Sequence, residues 1–271
     1  MIRINGKVIE KNAFPDGTLR VQAIDIPEDT NVIVFTWNYE DDSELFMLQA
    51  LVDKYEDYAQ ILVMPYIPHA RMDRVKNAED VFTLKSFCKI INSMNFKAVH
   101  VLDPHSDVST ALLDRVVVIN GVEWVQAIIE NKMVSILPED EDFVFFYPDA
   151  GAAKRYSTDK VYTYGIKKRN WETGKIESLE IADPDIVKDK TVFIVDDICS
   201  YGGTFSRAAA TLKEAGAKDI ILFVSHCEYN IFKGSVFTDG NIKAVITTNS
   251  IINADNIDSE YDGKFFIANI F

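Results

Sequence analysis

Residues 192–205 read "VFIVDDICSYGGTF", and this stretch decides the fold. A run of apolar, β-prone residues leads straight into two adjacent carboxylates, Asp196 and Asp197. Such a run suits a strand buried on both faces of a parallel sheet. A polar turn with Gly202 and Gly203 follows, and a helical pattern begins near Thr204. In parallel α/β sheets, ligands gather beyond the carboxyl ends of strands. The first turn of a helix offers unpaired backbone N–H groups and a partial positive charge. The two glycines permit positive φ and close approach of the backbone to an anion. The turn is therefore suited to a phosphate. The two aspartates would repel that phosphate, so they are expected to accept hydrogen bonds from sugar hydroxyls or to help hold Mg²⁺. The plain alternative is an acidic loop with a glycine turn.

Outward from this stretch, similar runs recur at 32–37, 60–66, 97–103, 143–148 and 219–226. Between them, residues 43–58, 83–94 and 204–216 show helical spacing, with Gly216 placed to end the last. Alternating strands and helices imply an α/β protein with mainly parallel sheets. A break falls around 120–140, where a helical stretch precedes the acidic "LPEDEDF". We expect two lobes, 1–125 and 126–271, with the C-terminal tail packing back on the first.

The chain has 271 residues, 48% hydrophobic and 26% charged, enough to bury a substantial core. Its net charge of −14 argues against nucleic-acid or anionic-membrane partners. Anionic substrates would need a local basic patch or a divalent metal. Three scattered cysteines make no metal pattern and suit a reducing compartment. Neither a membrane-spanning run nor a signal-peptide core is visible, so a cytoplasmic location is expected.

The stretch 192–205 resembles the phosphoribosyl pyrophosphate (PRPP) motif shared by phosphoribosyltransferases and PRPP synthetases. That resemblance implies that Asp196 and Asp197 bind the ribose 2- and 3-hydroxyls. It also implies that Ser200, Tyr201, Gly202, Gly203 and Thr204 bind the 5-phosphate. Four further segments resemble PRPP synthetases, the ribose-phosphate pyrophosphokinase family. "FPDGTLRV" (14–21) resembles a segment of the ATP site, implicating Phe14 and Asp16, with Thr18 in place of a glutamate. Read alone, it is an ordinary Pro-Asp-Gly turn. "MPYIPHARMDR" (64–74) resembles a stretch that implies ATP contacts from Arg71 and Asp73. Read alone, it is an arginine pair salt-bridged through Asp73.

"VLDPHSD" (101–107) implies that His105 engages the metal–ATP complex. "FYPDAGAAKR" (146–155) implies that Asp149 is a metal-site residue; its position also makes it a natural N-cap. The basic cluster "YGIKKRNWETGKI" (164–176) precedes a polar stretch with no core pattern, and we read it as a mobile flap. By resemblance it carries catalytic Lys167 and Arg169, with Lys168 as the alternative lysine. "KAVITTNSI" (243–251) resembles a segment near the family's C-terminus, so the likeness runs along almost the whole chain. The chain is nearer the short archaeal type.

The resemblance implies two phosphoribosyltransferase-like lobes, each a mainly parallel sheet flanked by helices. The first would serve ATP and metal, the second ribose 5-phosphate. The implied reaction is ATP plus ribose 5-phosphate to AMP plus PRPP, with Mg²⁺ and a homo-oligomer, dimer or larger. One rival is a phosphoribosyltransferase that consumes PRPP. It leaves 14–18, 64–74 and 101–107 unexplained, and many such enzymes have an acidic residue at the place of Ser200. The other rival is a non-catalytic, synthetase-like regulatory subunit.

Overall fold

The structure, a computed structural model, describes residues 1–131, 134–137, 142–157, 160–169 and 176–269, with the side chains of 167–169, 176–178 and 255 left out. The chain divides after Asn120 into two compact units.

In the first unit, strands β1 (Ile2–Ile4) and β2 (Lys7–Ile9) form a hairpin, and β3 (Asn12–Ala13) pairs with β4 (Leu19–Arg20). Then come β5 (Val32–Trp37), α1 (Ser43–Lys54), β6 (Ala59–Val63), α2 (Thr83–Ser93), β7 (Ala98–Leu102), α3 (Asp107–Leu112) and β8 (Val116–Ile119). The sheet order is β2-β1-β5-β6-β7-β8. The last four strands are parallel, and β1 joins β5 antiparallel. Ile33, Phe35 and Trp37 of β5 pack with Leu48 and Leu51 of α1 and Phe87 and Ile91 of α2. The alternation along β5 shows one face fully buried and the other partly covered.

The second unit holds α4 (Gly121–Glu130), β9 (Phe143–Tyr147), α5 (Ala150–Tyr156), β10 (Tyr162–Arg169), β11 (Ile176–Ile181), β12 (Thr191–Cys199), α6 (Gly203–Glu214), β13 (Asp219–Cys227), β14 (Ala244–Thr248) and β15 (Phe265–Ala268). Its sheet runs β11-β10-β9-β12-β13-β14-β15, parallel except for the β10–β11 pair. Alternate residues of β12 and β13 enter different cores. Val192, Ile194, Leu222 and Val224 meet α6, whereas Phe193, Val195, Ile221 and Phe223 meet α4 and α5. This is the two-faced burial expected of a parallel sheet. Gly216, at φ +92°, ends α6. Ala217 N–H bonds Leu212 O and Gly216 N–H bonds Lys213 O, both at 3.0 Å, which satisfies the last turn.

Residues 162–169, where the basic cluster begins, form a strand that pairs antiparallel with β11 through Lys167–Leu179 and Lys168–Ser178, with a bulge between Lys168 and Arg169. Tyr162, Thr163, Tyr164 and Ile166 supply the β-prone residues that the basic composition obscures. The side chains of Lys167, Lys168 and Arg169, and residues 170–175 of the expected flap, lie outside the described residues.

Candidate functional site

In the second unit, β9 and β12 are sheet neighbours, and the polar groups gather where they end. Asp149, just past β9, adopts extended backbone and caps α5. Its Oδ1 accepts from Gly151 N–H and Ala152 N–H, each at 3.0 Å. One turn and a half further along α5, Arg155 donates from Nη2 to the Tyr156 hydroxyl at 2.7 Å. Its guanidinium carbon lies 4.7 Å from that ring's centre, and Nη2 lies 3.5 Å from Asp197 Oδ2.

Asp196 and Asp197 sit inside β12, which runs two residues further than expected because β13 keeps pairing to Cys199–Cys227. Asp197 is 4% exposed and donates its N–H to Asp196 Oδ1 at 3.0 Å. Burial raises the Asp196 carboxyl well above its usual value, the neighbouring Asp197 adds to this, and Arg155 opposes it. The ligand-free pair therefore holds on to a proton above the ordinary carboxylate range.

The loop after β12 turns at Gly202, φ +75° and ψ 7°, which serves as the N-cap of α6. A Cβ there would lie 2.2 Å from Val236 Cγ2, so glycine is required twice over, by conformation and by space. Gly203, also expected to use positive φ, is instead the ordinary first residue of the helix. Ser206 N–H makes the first helical bond, to Gly202 O at 2.9 Å, and the N–H groups before it open the helix. Tyr201 is 55% exposed, and Thr204 begins the first turn. The Ser200 hydroxyl donates to Glu228 Oε2 at 2.7 Å.

In the first unit, the ends of β6 and β7 bring together Asp73, Arg74 and His105. Asp73, expected to touch ATP, is 7% exposed and bound at both oxygens by Arg74, at 2.6 and 2.7 Å. Those bonds hold its carboxyl at about 2 against the opposing effect of burial, with the charge of His105 contributing. Arg71 and His105 are exposed. The β3–β4 hairpin tip closes on itself. Gly17 has φ +84°, and Thr18 donates its N–H and hydroxyl to Asp16 Oδ1 at 3.0 and 2.7 Å. These bonds lower the pKa of Asp16. Phe14 stands at this tip, 51% exposed.

Three residues escaped the sequence reading: Arg155, Glu228 and Gly234. Arg155 stands in the Lys-Arg pair that closes "FYPDAGAAKR", which is the signal that could have pointed to it. Glu228 reaches the loop through the β12–β13 register, and Gly234 through the short helical turn that follows it. Among the described residues no three His, Cys, Asp or Glu side chains converge as a metal cage, and no helix is long and apolar enough to cross a membrane. Mg²⁺ takes few carboxylates and retains waters and phosphate oxygens. Oxygen donors such as Asp149 and the Asp196–Asp197 pair have the hardness it prefers.

The phosphoribosyl transferase domain family matches residues 150–252, which include the loop and both aspartates. Proteins named ribose-phosphate pyrophosphokinase from Sulfolobus acidocaldarius and Pyrococcus abyssi are each 27% identical to this chain. The alignments cover 90% and 88% of it, and 84% and 79% of those proteins. A crystal structure of phosphoribosylpyrophosphate synthetase from Mycobacterium smegmatis shares the fold, with a TM-score of 0.73 at 19% identity over 97% of this chain and 86% of that one. With the motifs in order and the alignments spanning about nine-tenths of its length, the chain is similar to the ribose-phosphate pyrophosphokinases along almost all of its sequence.

Proposed function

We propose that the chain is a ribose-phosphate diphosphokinase. It transfers the β,γ-diphosphoryl group of ATP to the 1-hydroxyl of ribose 5-phosphate, giving PRPP and AMP. The observation that carries this is the loop after β12. A glycine-capped helix start lies beside two adjacent carboxylates, Asp197 buried and Asp196 half-buried, in a chain similar over most of its length to proteins named ribose-phosphate pyrophosphokinase.

The second unit would bind ribose 5-phosphate. The N–H groups at the start of α6 suit the 5-phosphate, and Asp196 and Asp197 suit the 2- and 3-hydroxyls. Arg155 would keep Asp197 oriented. Phe14, Asp16, Arg71 and His105 of the first unit would hold the nucleotide, and the Arg74–Asp73 pair would fix the loop that carries Arg71. Mg²⁺ would neutralise part of the triphosphate charge, with His105 of the first unit and Asp149 of the second as its candidate residues, directly or through water. The anomeric hydroxyl attacks the β-phosphorus and AMP leaves. Such transfers depend on positioning and charge neutralisation rather than on a covalent intermediate. Lys167 and Arg169, or Lys168 in place of the former, would stabilise charge developing on the transferred group. Val117 and Val118, exposed on the edge strand β8, support a homo-oligomer.

The test is AMP release from ATP and ribose 5-phosphate, measured with wild type and Lys167→Ala. Wild type should form PRPP, and the variant should lose about 10²–10³ in kcat. Binding of both substrates without turnover would favour a regulatory subunit. Consumption of PRPP with a base, and no PRPP synthesis, would favour a phosphoribosyltransferase.

A further inference from the structure

The segment that follows β13 forms a floor under the phosphate loop. The register pairs Cys199 with Cys227, so Ser200 and Glu228 leave the sheet side by side. Glu228 is tied both to the end of β12 and to the loop that follows it. Its N–H donates to Cys199 O at 2.8 Å, and its Oε2 accepts from Ser200 Oγ at 2.7 Å. Asn230 Nδ2 lies 3.5 Å from the same oxygen. Further along, Gly234 lies so close to Tyr201 that a Cβ would come within 1.9 Å of its carbonyl oxygen. Val236 fills the space beside Gly202, and Ser235 Oγ donates to Ser206 Oγ at 2.9 Å. The loop from 200 to 202 and the first turn of α6 are thus braced from one side by 228–236.

A carboxylate beside a loop that receives a phosphate is electrostatically unfavourable, so its presence calls for a compensating role. The geometry supplies one. The only proton of the Ser200 hydroxyl is directed at Glu228, and is therefore not directed at a phosphate oxygen. We propose that Glu228 is a positioning residue. Its carboxylate anchors Ser200, and this anchor sets the backbone N–H groups of 201–204 in the orientation that receives the 5-phosphate. Ser200 belongs to the frame of the site rather than to its ligand contacts. The proposal rests on reading this loop as the ribose 5-phosphate site.

Two measurements test it. The first needs no substrate: backbone amide exchange at 200–204 in the ligand-free protein. Exchange should quicken in Glu228→Ala and Ser200→Ala and return to the wild-type rate in Glu228→Gln, whose amide oxygen still accepts the hydroxyl. The second is steady-state kinetics. The KM for ribose 5-phosphate should rise about tenfold in each alanine variant, with the KM for ATP unchanged and Glu228→Gln restoring it. The double alanine variant should be no worse than either single one, because both remove the same bond. If Glu228→Ala does not fold, Ser200→Ala carries both measurements. Unaltered exchange, additive effects, failure of glutamine to rescue, or an equal rise in both KM values would overturn the proposal. Should wild type form no PRPP, the functional reading falls, while the exchange result still decides whether the anchor exists.

Discussion

Gly234→Ala is the sharpest test of how the loop at 200–202 is held. Gly234 has φ −93° and ψ −167°, a conformation open to any residue, so backbone strain does not enter. Space does. A Cβ would stand 1.9 Å from Tyr201 O and 2.9 Å from Tyr201 C. Carbon–oxygen contact begins at about 3.3 Å, so the two segments must separate by about 1.4 Å. Both obstructing atoms are backbone, and no rotamer change relieves them. The loop must shift, and its N–H groups move by a distance comparable to the whole tolerance of a hydrogen bond. A displacement of this size costs about 10²-fold in catalytic efficiency. Overpacking of this kind costs about 2 kcal/mol, or about 6 °C in Tm. The assay is AMP release with ribose 5-phosphate and ATP varied in turn, alongside a thermal melt. The loss should fall on ribose 5-phosphate and spare the KM for ATP. Gly203→Ala makes the contrast. A Cβ there meets nothing within 4 Å, and the residue is already helical, so its Tm should rise, by about 0.5 kcal/mol of stability. A Gly234→Ala protein with wild-type Tm and a KM for ribose 5-phosphate within threefold of wild type would refute the packing argument.

Three other outcomes follow from the electrostatics. The raised Asp196 carboxyl gives stability that is complete below its ordinary value of 3.8 and is lost as pH rises through the raised value; Asp196→Asn should therefore raise the Tm at pH 8 while weakening ribose 5-phosphate binding, and an unchanged melt would contradict the burial argument. Asp73 behaves oppositely. Held at about 2, it contributes stability that is present above 3.8 and lost as pH falls through 2. The shift corresponds to about 2 kcal/mol, which the exposure of Arg74 (62%) reduces to about 1 kcal/mol. Denaturant midpoints for Asp73→Asn should thus fall below wild type at pH 7 and converge with it near pH 2. Finally, Cys88, Cys199 and Cys227 are all buried, with the Cys88 thiol pushed up to about 11 by desolvation and that of Cys227 raised by burial and by Cys199. A thiol reagent at pH 8 should titrate no thiol rapidly in the native protein and three after denaturation, and one fast native thiol would count against this packing.

The limits of the sequence are physical ones. Strands such as β5 and β12 are legible because long runs of apolar residues have few alternatives. The β1–β2 hairpin, β8, β14 and β15 are short and draw their order from partners far along the chain, which no local pattern reports. The glycine turn is legible because Asp196, Asp197, Gly202 and Gly203 fall within one short stretch of sequence. Glu228 and Gly234 are not legible as site residues. Ser200 and Glu228 lie 28 residues apart and meet only because β12 and β13 pair in one register. The strand at 162–169 is obscured in the opposite way, because its basic residues mask the β-prone ones that decide the backbone.

Register also bears on how a chain with a net charge of −14 could receive anions. Counted formally, Asp196 and Asp197 place two negative charges beside the phosphate loop. The fold reduces that repulsion. Burial favours the neutral form of Asp196, and Arg155 lies 3.5 Å from Asp197, so the pair adds less negative charge at the glycine turn than its formal count, and Glu228 has its carboxylate engaged by Ser200. Distant surface carboxylates are screened beyond about 10 Å at ordinary salt, so the local arrangement outweighs the global count. The same balance makes Arg155 more consequential than its distance from the glycine turn in sequence suggests. Arg155→Ala leaves Asp197 buried without its cation, and should weaken ribose 5-phosphate binding more than Arg155→Lys, which keeps a cation beside the pair. An equal loss in the two variants would mean that Arg155 acts through packing against Tyr156 rather than through its charge.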